Sequence, residues 1–446
     1  MQVTILPQRG NQTESGVPII TLPPDKSIFH RVLIIGSLTR SKITIPISSI
    51  EEIPADVYAT ILALESVGVD FDISNKKIEF QGIGKGNFRK PNHKINCGNS
   101  GTTARLLMGL LAGENFSATL TGDSSLSRRP MGRVAELLQR FGADVHTSGG
   151  SLPAIINGRK LHSSYVSTYV SSAQMKSAAI LAALNAGGDS QVTEPIRSRN
   201  HTELMLEAFG NGISHKAKEV KLTNYSFTAP SEITYHIPGD PSSAAYMIAA
   251  AMILRKNITL KNMSVNPTRI KYFRRLKQSD VIIERRNKKE EFKEKSADID
   301  IKAAEITNIE PFVYLQEQTP TVIDEIPFLA ILAAYSRGSS IFFGAGELRK
   351  KESDRIAVLV ENFENFGFDA GSQKDHFYIH GDKNFRPNGG VVKHHNDHRI
   401  AMAMAVLALR AKEPVTILGA EIVSVSYPNF FRDLGLIVGK ERIRIS

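Results

Sequence analysis

Two stretches of the chain combine cations and hydroxyl groups with a predicted helix start. In the first, Lys26 and Ser27 follow Asp25, and Arg31 lies five residues after Lys26. The second, residues 98–113 (GNSGTTARLLMGLLAG), passes from small polar residues into an apolar run, and its polar surface comes from Asn99, Gly101, Thr102 and Arg105. Backbone N–H groups at a helix start can face an anion, and cations beside a hydroxyl suit a phosphate or a carboxylate. Both stretches predict small-anion binding, with capped helices and exposed bases as the alternative.

Carboxylates stand beside cations in two later stretches. Asp324-Glu325 precedes an apolar run, where a carboxylate can cap a helix or act as a general base. In residues 346–356 (GELRKKESDRI), a helix would place Lys351 and Arg355 on one face with Glu352 beside them. That second group is either a binding element or an ordinary salt-bridged surface helix.

Two further groups of charged residues stand at predicted helix starts. Asp397-His398-Arg399 repeats the pattern, and His398 is either a proton carrier or a structural histidine. Arg128 and Arg129 lie between a predicted strand and a helix that begins near Pro130, where a substrate can reach them, although they are also typical surface bases.

The elements that carry these residues form a repeat. Six polar openings lead into apolar helices at residues 25–38, 98–113, 171–188, 239–254, 323–338 and 396–411, and their starts are roughly 70 to 85 residues apart. Each of these helices is apolar nearly all round and must be buried among neighbours, which favours several copies in each of two globular lobes. Second helices are predicted at residues 56–69, 129–145, 201–212 and 353–370.

Short strands separate the helices. They are predicted at residues 43–47, 76–82, 118–123 and 153–158, and within residues 1–22 around a polar turn. Alternating strands and helices indicate an α/β or α+β protein. A break at residues 236–243 suggests that the first lobe is an insertion, provided that residues 1–22 join the second half. The charged run at residues 284–295 (ERRNKKEEFKEK) is expected to be a solvated helix or a mobile loop.

Composition restricts the classes of function. The formal charge of +10 fits either attraction to nucleic acid or a membrane, or a cleft for small polyanions, and the distribution of the bases favours the small anions. They stand singly at the helix openings, as Lys26, Arg31, Arg105, Lys176, Arg355 and Arg399 do, and no aromatic-interleaved basic tract occurs. A single cysteine, Cys97, excludes an intrachain disulfide framework. Without a leader-like start or an apolar run near 20 residues, we expect a cytoplasmic protein that binds neither nucleic acid nor membrane.

Taken together, these motifs resemble those of one family, the 5-enolpyruvylshikimate-3-phosphate synthases of the shikimate pathway. The matching stretches occur in order along nearly the whole chain: DKSIFHR, GNSGTTARLL, LTGDSSLSRRPM, SSAQMKSA, SRNHTE, PGDPSSAA, DEIPFLA, LRKKESDR and DHRIAMA. The resemblance implies a two-lobed fold with three βαβαββ repeats and buried helices in each lobe. The lobes would be residues 23–238, and residues 1–22 with 239–446, with the active site in the cleft between them.

The resemblance also implies a reaction: transfer of the enolpyruvyl group of phosphoenolpyruvate to the 5-hydroxyl of shikimate 3-phosphate, with release of phosphate and without metal or organic cofactor. It assigns shikimate 3-phosphate to Lys26, Ser27, Arg31, Ser172, Gln174, Arg199, Asp324 and Lys351. Phosphoenolpyruvate is assigned to Lys26, Asn99, Gly101, Arg129, Gln174, Arg355 and Arg399. Asp324 would accept the hydroxyl proton, and Glu352 with Lys26 would handle the proton delivered to the methylene carbon.

Some positions depart from the pattern of the family. Val425 stands where many members carry a lysine that touches phosphoenolpyruvate, Asn200 where aspartate is common and Leu106 where one class has proline. Two alternatives stay open at this point. One is the UDP-N-acetylglucosamine enolpyruvyl transferase, which calls for a Lys-Asn pair and an exposed loop cysteine. The other is a non-catalytic anion-binding relative. The chain is expected to be a monomer.

Overall fold

Several helices of the computed structural model begin at a residue whose side chain caps them. The structure describes residues 1–7, 16–303 and 308–446. In these ranges the α-helices are α1 (Lys26–Ser37), α2 (Ala55–Glu65), α3 (Gly101–Leu111), α4 (Gly132–Gln139), α5 (Ala173–Ala186), α6 (His201–Phe209), α7 (Pro241–Leu254), α8 (Phe273–Leu276), α9 (Ile326–Ala334), α10 (Arg355–Asn365), α11 (His398–Leu407) and α12 (Phe430–Val438). Asp25, Ser100 and Ser172 accept first-turn N–H groups of α1, α3 and α5, which fixes those starts.

The strands form six four-stranded sheets in the described residues. In chain order they are β1 (Gln2–Ile5), β2 (Ile19–Thr21), β3 (Lys42–Pro46), β4 (Phe71–Ile73), β5 (Lys77–Gln81), β6 (Ile95–Asn96), β7 (Ser117–Thr121), β8 (Asp144–Ser148), β9 (Ser151–Asn157), β10 (Tyr165–Ser167), β11 (Asp189–Thr193), β12 (Gly210–Lys216), β13 (Glu219–Phe227), β14 (Glu232–Thr234), β15 (Ile258–Ser264), β16 (Ile282–Glu291), β17 (Glu294–Lys302), β18 (Val313–Tyr314), β19 (Gly338–Phe343), β20 (Asp369–Ser372), β21 (His376–Gly381), β22 (Gly390–Val391), β23 (Val415–Leu418) and β24 (Ile443–Ile445).

Each sheet repeats one arrangement, in which a parallel pair at one edge continues into antiparallel strands. The orders are β14-β3-β5-β4, β6-β7-β9-β8, β10-β11-β13-β12, β16-β17-β15-β2, β18-β19-β21-β20 and β22-β23-β1-β24. The β6-α3-β7-α4-β8-β9 segment shows the unit directly, because β6 pairs parallel with β7 while β9 pairs antiparallel with β7 and β8. The predicted βαβαββ repeats and the mixed α/β class are confirmed.

The described residues divide into two compact units, each with its own core. Unit 1 comprises Met1–Pro23, Pro238–Lys289 and Lys295–Ser446, and unit 2 comprises Pro24–Ile237 and Glu290–Glu294. Three sheets belong to each unit. α7, α9 and α11 pack together in the core of unit 1, and α1, α3 and α5 contribute to that of unit 2. All nine residues of α9 are buried, which explains why its sequence shows no polar face.

One glycine allows α3 and α5 to pack unusually closely. A Cβ added at Gly109 would lie 2.2 Å from the carbonyl oxygen of Ala178. A side chain of any size at this position would therefore push the two helices apart.

Three local predictions are wrong. Residues 284–295 form neither a helix nor a loop but parts of β16 and β17; β16 is an edge strand, and exposed charges on an edge discourage pairing with other chains. Residues 351–354 lie outside helical structure, between a 3₁₀ turn at Gly346–Lys350 and α10, so Lys351 and Arg355 do not share a helix face. The helix predicted to residue 212 ends at Phe209, where β12 begins. The predicted polar turn near residues 8–15 lies outside the described residues.

Candidate functional site

In unit 2, the start of α1 gathers the first set of predicted site residues. Arg31 is buried and donates to the carbonyl of Ser27 (2.7 Å), to Thr202 Oγ1 (2.7 Å) and to Ser177 Oγ (2.8 Å). Arg199 Nη1 donates to Ser27 Oγ at 3.2 Å. Arg31 thus joins α1, α5 and α6, and Arg199 lies directly beside the Ser27 hydroxyl.

Burial and a neighbouring cation weaken proton binding by Arg31. Burial is the largest cause, the carboxylate of Glu203 opposes it, and Arg199 adds to it, so that the pKa of Arg31 falls to about 10. Burial, the largest cause, disfavours a charge of either sign, so the Arg31 guanidinium depends on the Glu203 carboxylate and on its hydroxyl acceptors for compensation.

Lys26, the first residue of α1, lies at the same helix start. Its ammonium Nζ is 2.7 Å from Asp56 Oδ2 on α2. Asp56 is not among the predicted site residues; its one available signal was an acidic residue in the first turn of a predicted helix.

A buried chain of hydroxyl groups connects α1 with α3. His30 Nδ1 lies 2.7 Å from Thr60 Oγ1, which lies 2.6 Å from Thr103 Oγ1, and Thr103 donates to Ser100 Oγ. Burial, followed by the charges of Lys26 and Arg31, holds the pKa of His30 well below its usual range. A neutral imidazole therefore helps to fix the two helix starts relative to each other.

The start of α3 gathers the second set in unit 2. Arg129 donates to Asn99 Oδ1 (2.5 Å) and to the Asn99 carbonyl (3.2 Å). Arg105 Nη1 donates to Gln174 Oε1 at 2.6 Å. A Cβ at Gly101 would lie 2.7 Å from Arg105 Nη1 and 3.4 Å from Arg129 Nη1, so both guanidinium groups lie close to the backbone at this helix start.

Ser172 and Lys176 on α5 have different roles. Ser172 is the N-cap of α5 and accepts from the N–H of Met175. Lys176 is buried, and its Nζ lies 2.7 Å from both Glu194 Oε1 and Glu203 Oε1. The interpretation of Lys176 as an anion-gripping base is therefore wrong: the lysine pairs with two buried carboxylates, whose contribution the sequence could not show.

In unit 1, Asp324 is surrounded by cations. Its Oδ1 lies 3.4 Å from Lys351 Nζ and 3.8 Å from Arg355 Nη1, and its backbone carbonyl accepts from Arg399 Nη1 at 2.8 Å. These cations come from the segment before α10, from the start of α10 and from the start of α11. A carboxylate held beside cations at the edge of such a set can act as a general base toward a bound hydroxyl.

Arg355 links the second carboxylate to a third. Its Nη2 bonds to Glu352 Oε2, and its Nε donates to Asp397 Oδ2 at 2.7 Å. Asp397 is fully buried and also accepts from the N–H of Arg399 at 2.9 Å, as the N-cap of α11. Burial alone would lower the pKa of Arg355, but Asp397 and Glu352 outweigh it and raise the pKa.

The structure thus brings the predicted residues into sets within each unit. Unit 2 holds Lys26, Ser27, Arg31 and Arg199 in one set, and Asn99, Gly101, Arg129 and Gln174 in another. Unit 1 holds Asp324, Lys351, Glu352, Arg355 and Arg399 together. His398 is buried beside Asp397, and Cys97 is a buried free thiol as expected of a small apolar residue.

The described residues hold neither a cluster of metal ligands nor a membrane-spanning helix. In residues 1–7, 16–303 and 308–446, no group of three or more His, Cys, Asp or Glu side chains is arranged to hold a metal ion. No helix in that part of the chain combines the length and the apolar character needed to cross a membrane.

Comparison with known proteins gives a consistent result. The sequence model of the EPSP synthase family, EPSP synthase (3-phosphoshikimate 1-carboxyvinyltransferase), matches residues 12–434. A 3-phosphoshikimate 1-carboxyvinyltransferase of Lactiplantibacillus plantarum is 38% identical over 437 residues, which cover 97% of this chain and 98% of the relative. One of Sulfurihydrogenibium is 40% identical over 425 residues, covering 93% and 96%. Among solved structures, an EPSP synthase from Acinetobacter baumannii superposes with a TM-score of 0.82 at 34% identity, covering 100% of this chain and 99% of that one.

Proposed function

The chain belongs to the EPSP synthase family, the 3-phosphoshikimate 1-carboxyvinyltransferases, and from that premise we propose that its sets of anion-binding residues hold the two substrates of this reaction. The enzyme transfers the enolpyruvyl group of phosphoenolpyruvate to shikimate 3-phosphate in the biosynthesis of aromatic amino acids. The accepting group in this proposal is the 5-hydroxyl, and inorganic phosphate is the second product.

Shikimate 3-phosphate is assigned to Lys26, Ser27, Arg31, Ser172, Gln174 and Arg199 of unit 2, together with Asp324 and Lys351 of unit 1. The contact of Arg199 with Ser27 supports this assignment, because a guanidinium beside a hydroxyl can grip two oxygens of one phosphate. Arg31 makes three contacts with protein groups, so its contribution is a buried positive charge that also fixes Ser27.

Phosphoenolpyruvate is assigned to Lys26, Asn99, Gly101, Arg129 and Gln174 of unit 2, together with Arg355 and Arg399 of unit 1. Gly101 supports this choice, because the lack of a side chain leaves the backbone at the start of α3 open beside the guanidinium groups of Arg105 and Arg129. A small polyanion with a phosphate and a carboxylate needs several cations to offset its charge.

Asp324 and Glu352 are the proposed acid–base pair. Asp324 accepts the proton of the 5-hydroxyl as the hydroxyl oxygen bonds to the phosphate-bearing carbon of phosphoenolpyruvate. Glu352 with Lys26 delivers a proton to the methylene carbon. Phosphate then leaves and the methyl carbon gives up one proton, which restores the double bond. Each such proton transfer typically contributes about 10²- to 10⁴-fold to the rate.

The observation that carries the proposal is the position of Asp324. Its carboxylate has Lys351 and Arg355 within 4 Å, while Glu352 is a separate carboxylate that bonds to the other terminal nitrogen of Arg355. A protein that merely bound anions would gain nothing from two carboxylates among its cations, since they repel the ligand.

The first test measures phosphate release from purified protein supplied with phosphoenolpyruvate. Shikimate 3-phosphate and UDP-N-acetylglucosamine are offered in parallel as acceptors. Release with shikimate 3-phosphate alone is expected. Release with the nucleotide sugar would support the related transferase, and release with neither from folded protein would support an anion-binding relative.

The second test concerns Asp324. We expect Asp324→Ala to lower turnover by at least about 10²-fold while shikimate 3-phosphate binding stays measurable by calorimetry. Asp369→Ala, which removes an exposed carboxylate from β20 of the same unit, serves as the control and should keep full turnover. Equal turnover of the two variants would remove Asp324 from the mechanism.

The remaining assignments follow from the same proposal. The enzyme is proposed to be a cytoplasmic monomer that needs no cofactor, and size-exclusion chromatography with light scattering tests the monomer. The assignment of residues 23–238 to the shikimate 3-phosphate side, and of residues 1–22 with 239–446 to the side of the catalytic carboxylates, stays a prediction.

A further inference from the structure

Glu325 stands at the N-cap of α9 but does not cap it. A carboxylate in this position usually accepts N–H groups of the first helical turn. Here the side chain makes no such bond, although only 4% of the residue is exposed. A buried carboxylate is costly unless other groups compensate it, so its true partners must lie elsewhere.

Those partners lie at the start of α7. Ser242 Oγ donates to Glu325 Oε1 at 2.5 Å, and Ser242 Oγ itself accepts from Arg269 Nη2 at 3.1 Å. Arg269 Nη2 also bonds to Asp240 Oδ1 at 2.8 Å, and Asp240 accepts the N–H of Ser242 as the N-cap of α7. All four residues are at least 96% buried, so this network forms a rigid anchor behind α9.

The anchor lies next to Asp324 in the chain. From the other side, Arg399 Nη1 donates to the Asp324 carbonyl at 2.8 Å. The peptide that joins residues 324 and 325 is therefore held twice: by a guanidinium on its carbonyl and by the buried side chain that follows it. This leaves the Asp324 carboxylate little freedom to turn away from Lys351.

We propose that Glu325 is a positioning residue, which, through Ser242 and Arg269, fixes the carboxylate of Asp324 in its reacting orientation. This inference rests on the proposed role of Asp324 as the proton acceptor. A displacement of about 1 Å at a reacting group can cost about 10²-fold in rate, and such a displacement is what loss of the anchor would permit.

The test compares Glu325→Ala, Glu325→Gln and Ser242→Ala with Glu317→Ala, which removes an exposed carboxylate from the same unit. We expect Glu325→Ala to lower kcat by about 10²-fold while KM for shikimate 3-phosphate changes less than about 3-fold. Glu325→Gln keeps an oxygen for Ser242 and should recover most of the lost kcat. Ser242→Ala should lose about 10-fold, and Glu317→Ala should match the unmodified enzyme.

Combination with Asp324→Ala separates positioning from general damage. If Glu325 acts through Asp324, then adding Glu325→Ala to Asp324→Ala leaves the residual kcat within about 2-fold. A further 10²-fold loss in that background would overturn the inference. Wild-type kcat in Glu325→Ala would also overturn it. If Glu325→Ala does not fold, wild-type kcat in folded Ser242→Ala would do the same. Full turnover of Asp324→Ala would instead refute the proposed role of Asp324 itself.

Discussion

Replacement of Asp397 by asparagine tests the buried ion pair beneath the unit 1 set. Asp397 is fully buried; its Oδ1 caps α11, and its Oδ2 accepts from Arg355 Nε at 2.7 Å and from Ser353 Oγ at 3.1 Å. Asparagine caps a helix about as well as aspartate does. With its oxygen kept at the cap, however, Asp397→Asn would turn an NH₂ group toward Arg355 Nε, where donor would face donor.

The expected loss follows from leaving a buried guanidinium without its main partner. Removing one member of a buried pair costs about 3–5 kcal/mol, and Glu352, which also bonds to Arg355, places the loss toward the lower figure. Asp397→Ala should lose about 1 kcal/mol more because it also removes the cap. Both variants should raise KM for phosphoenolpyruvate, since Arg355 would lose one of the carboxylates that hold its guanidinium in place.

The N-cap of α10 offers a matched control. Asp354 also caps a helix and also pairs with an arginine, Arg349, at 2.9 Å, but the two side chains are 40% and 25% exposed. Asp354→Asn should cost less than about 1 kcal/mol because exposed pairs contribute little. Urea denaturation followed by circular dichroism measures both variants. A loss in Asp397→Asn within 1 kcal/mol of that in Asp354→Asn would refute the reasoning.

Three further outcomes are expected. Burial raises the pKa of Glu114 from 4.5 to about 7, so its contribution to the free energy of unfolding is fully present below pH 4.5 and is lost as the pH rises through 7. Urea denaturation should show a loss of at most about 3 kcal/mol over this range, and Glu114→Gln should abolish that loss. An unchanged pH profile in the variant would contradict this prediction. Gly109→Ala should destabilise the protein because the new Cβ would meet Ala178. Gly435→Ala in α12 has no neighbour nearer than 3.7 Å and should raise the free energy of unfolding by up to about 1 kcal/mol. Thermal denaturation that gives a change of the same sign for both variants would count against the packing argument. Burial raises the pKa of the Cys97 thiol to about 12, so a thiol reagent at pH 8 should label the protein after unfolding in guanidinium and not before; rapid labelling of the native protein would exclude a buried thiol.

The sequence predicted the repeated elements well because their signals are local. An apolar run with a polar cap fixes a buried helix wherever it occurs, and α7 and α9 begin close to their predicted openings. The charged run at residues 284–295 misled because exposed charges are equally typical of a solvated helix and of an edge strand. What the charges did not show is that this run pairs with the largely buried strand β17.

The candidate site was predictable in its residues more than in their partners. Lys26, Asp324 and Arg355 stand in recognisable motifs, but Asp56 and Asp397 pair with them across 30 and 42 residues of chain. Lys176 shows the same limit, because a lysine at a helix opening looks identical whether it faces a ligand or two buried glutamates. Ion pairing between distant segments depends on the tertiary fold, which spacing along the chain does not encode.

The hairpin of β16 and β17 affects how the protein can be divided. Its strands belong to unit 1 and its tip, Glu290–Glu294, to unit 2, where Phe292 stacks on Tyr235 at 4.9 Å and Glu294 lies 2.5 Å from His201. A fragment that ends at residue 237 would therefore lack an aromatic side chain from its core and leave His201 without this carboxylate. During synthesis, unit 2 cannot complete its packing until about fifty residues of unit 1 have also emerged, so the folding of unit 2 depends on the synthesis of part of unit 1.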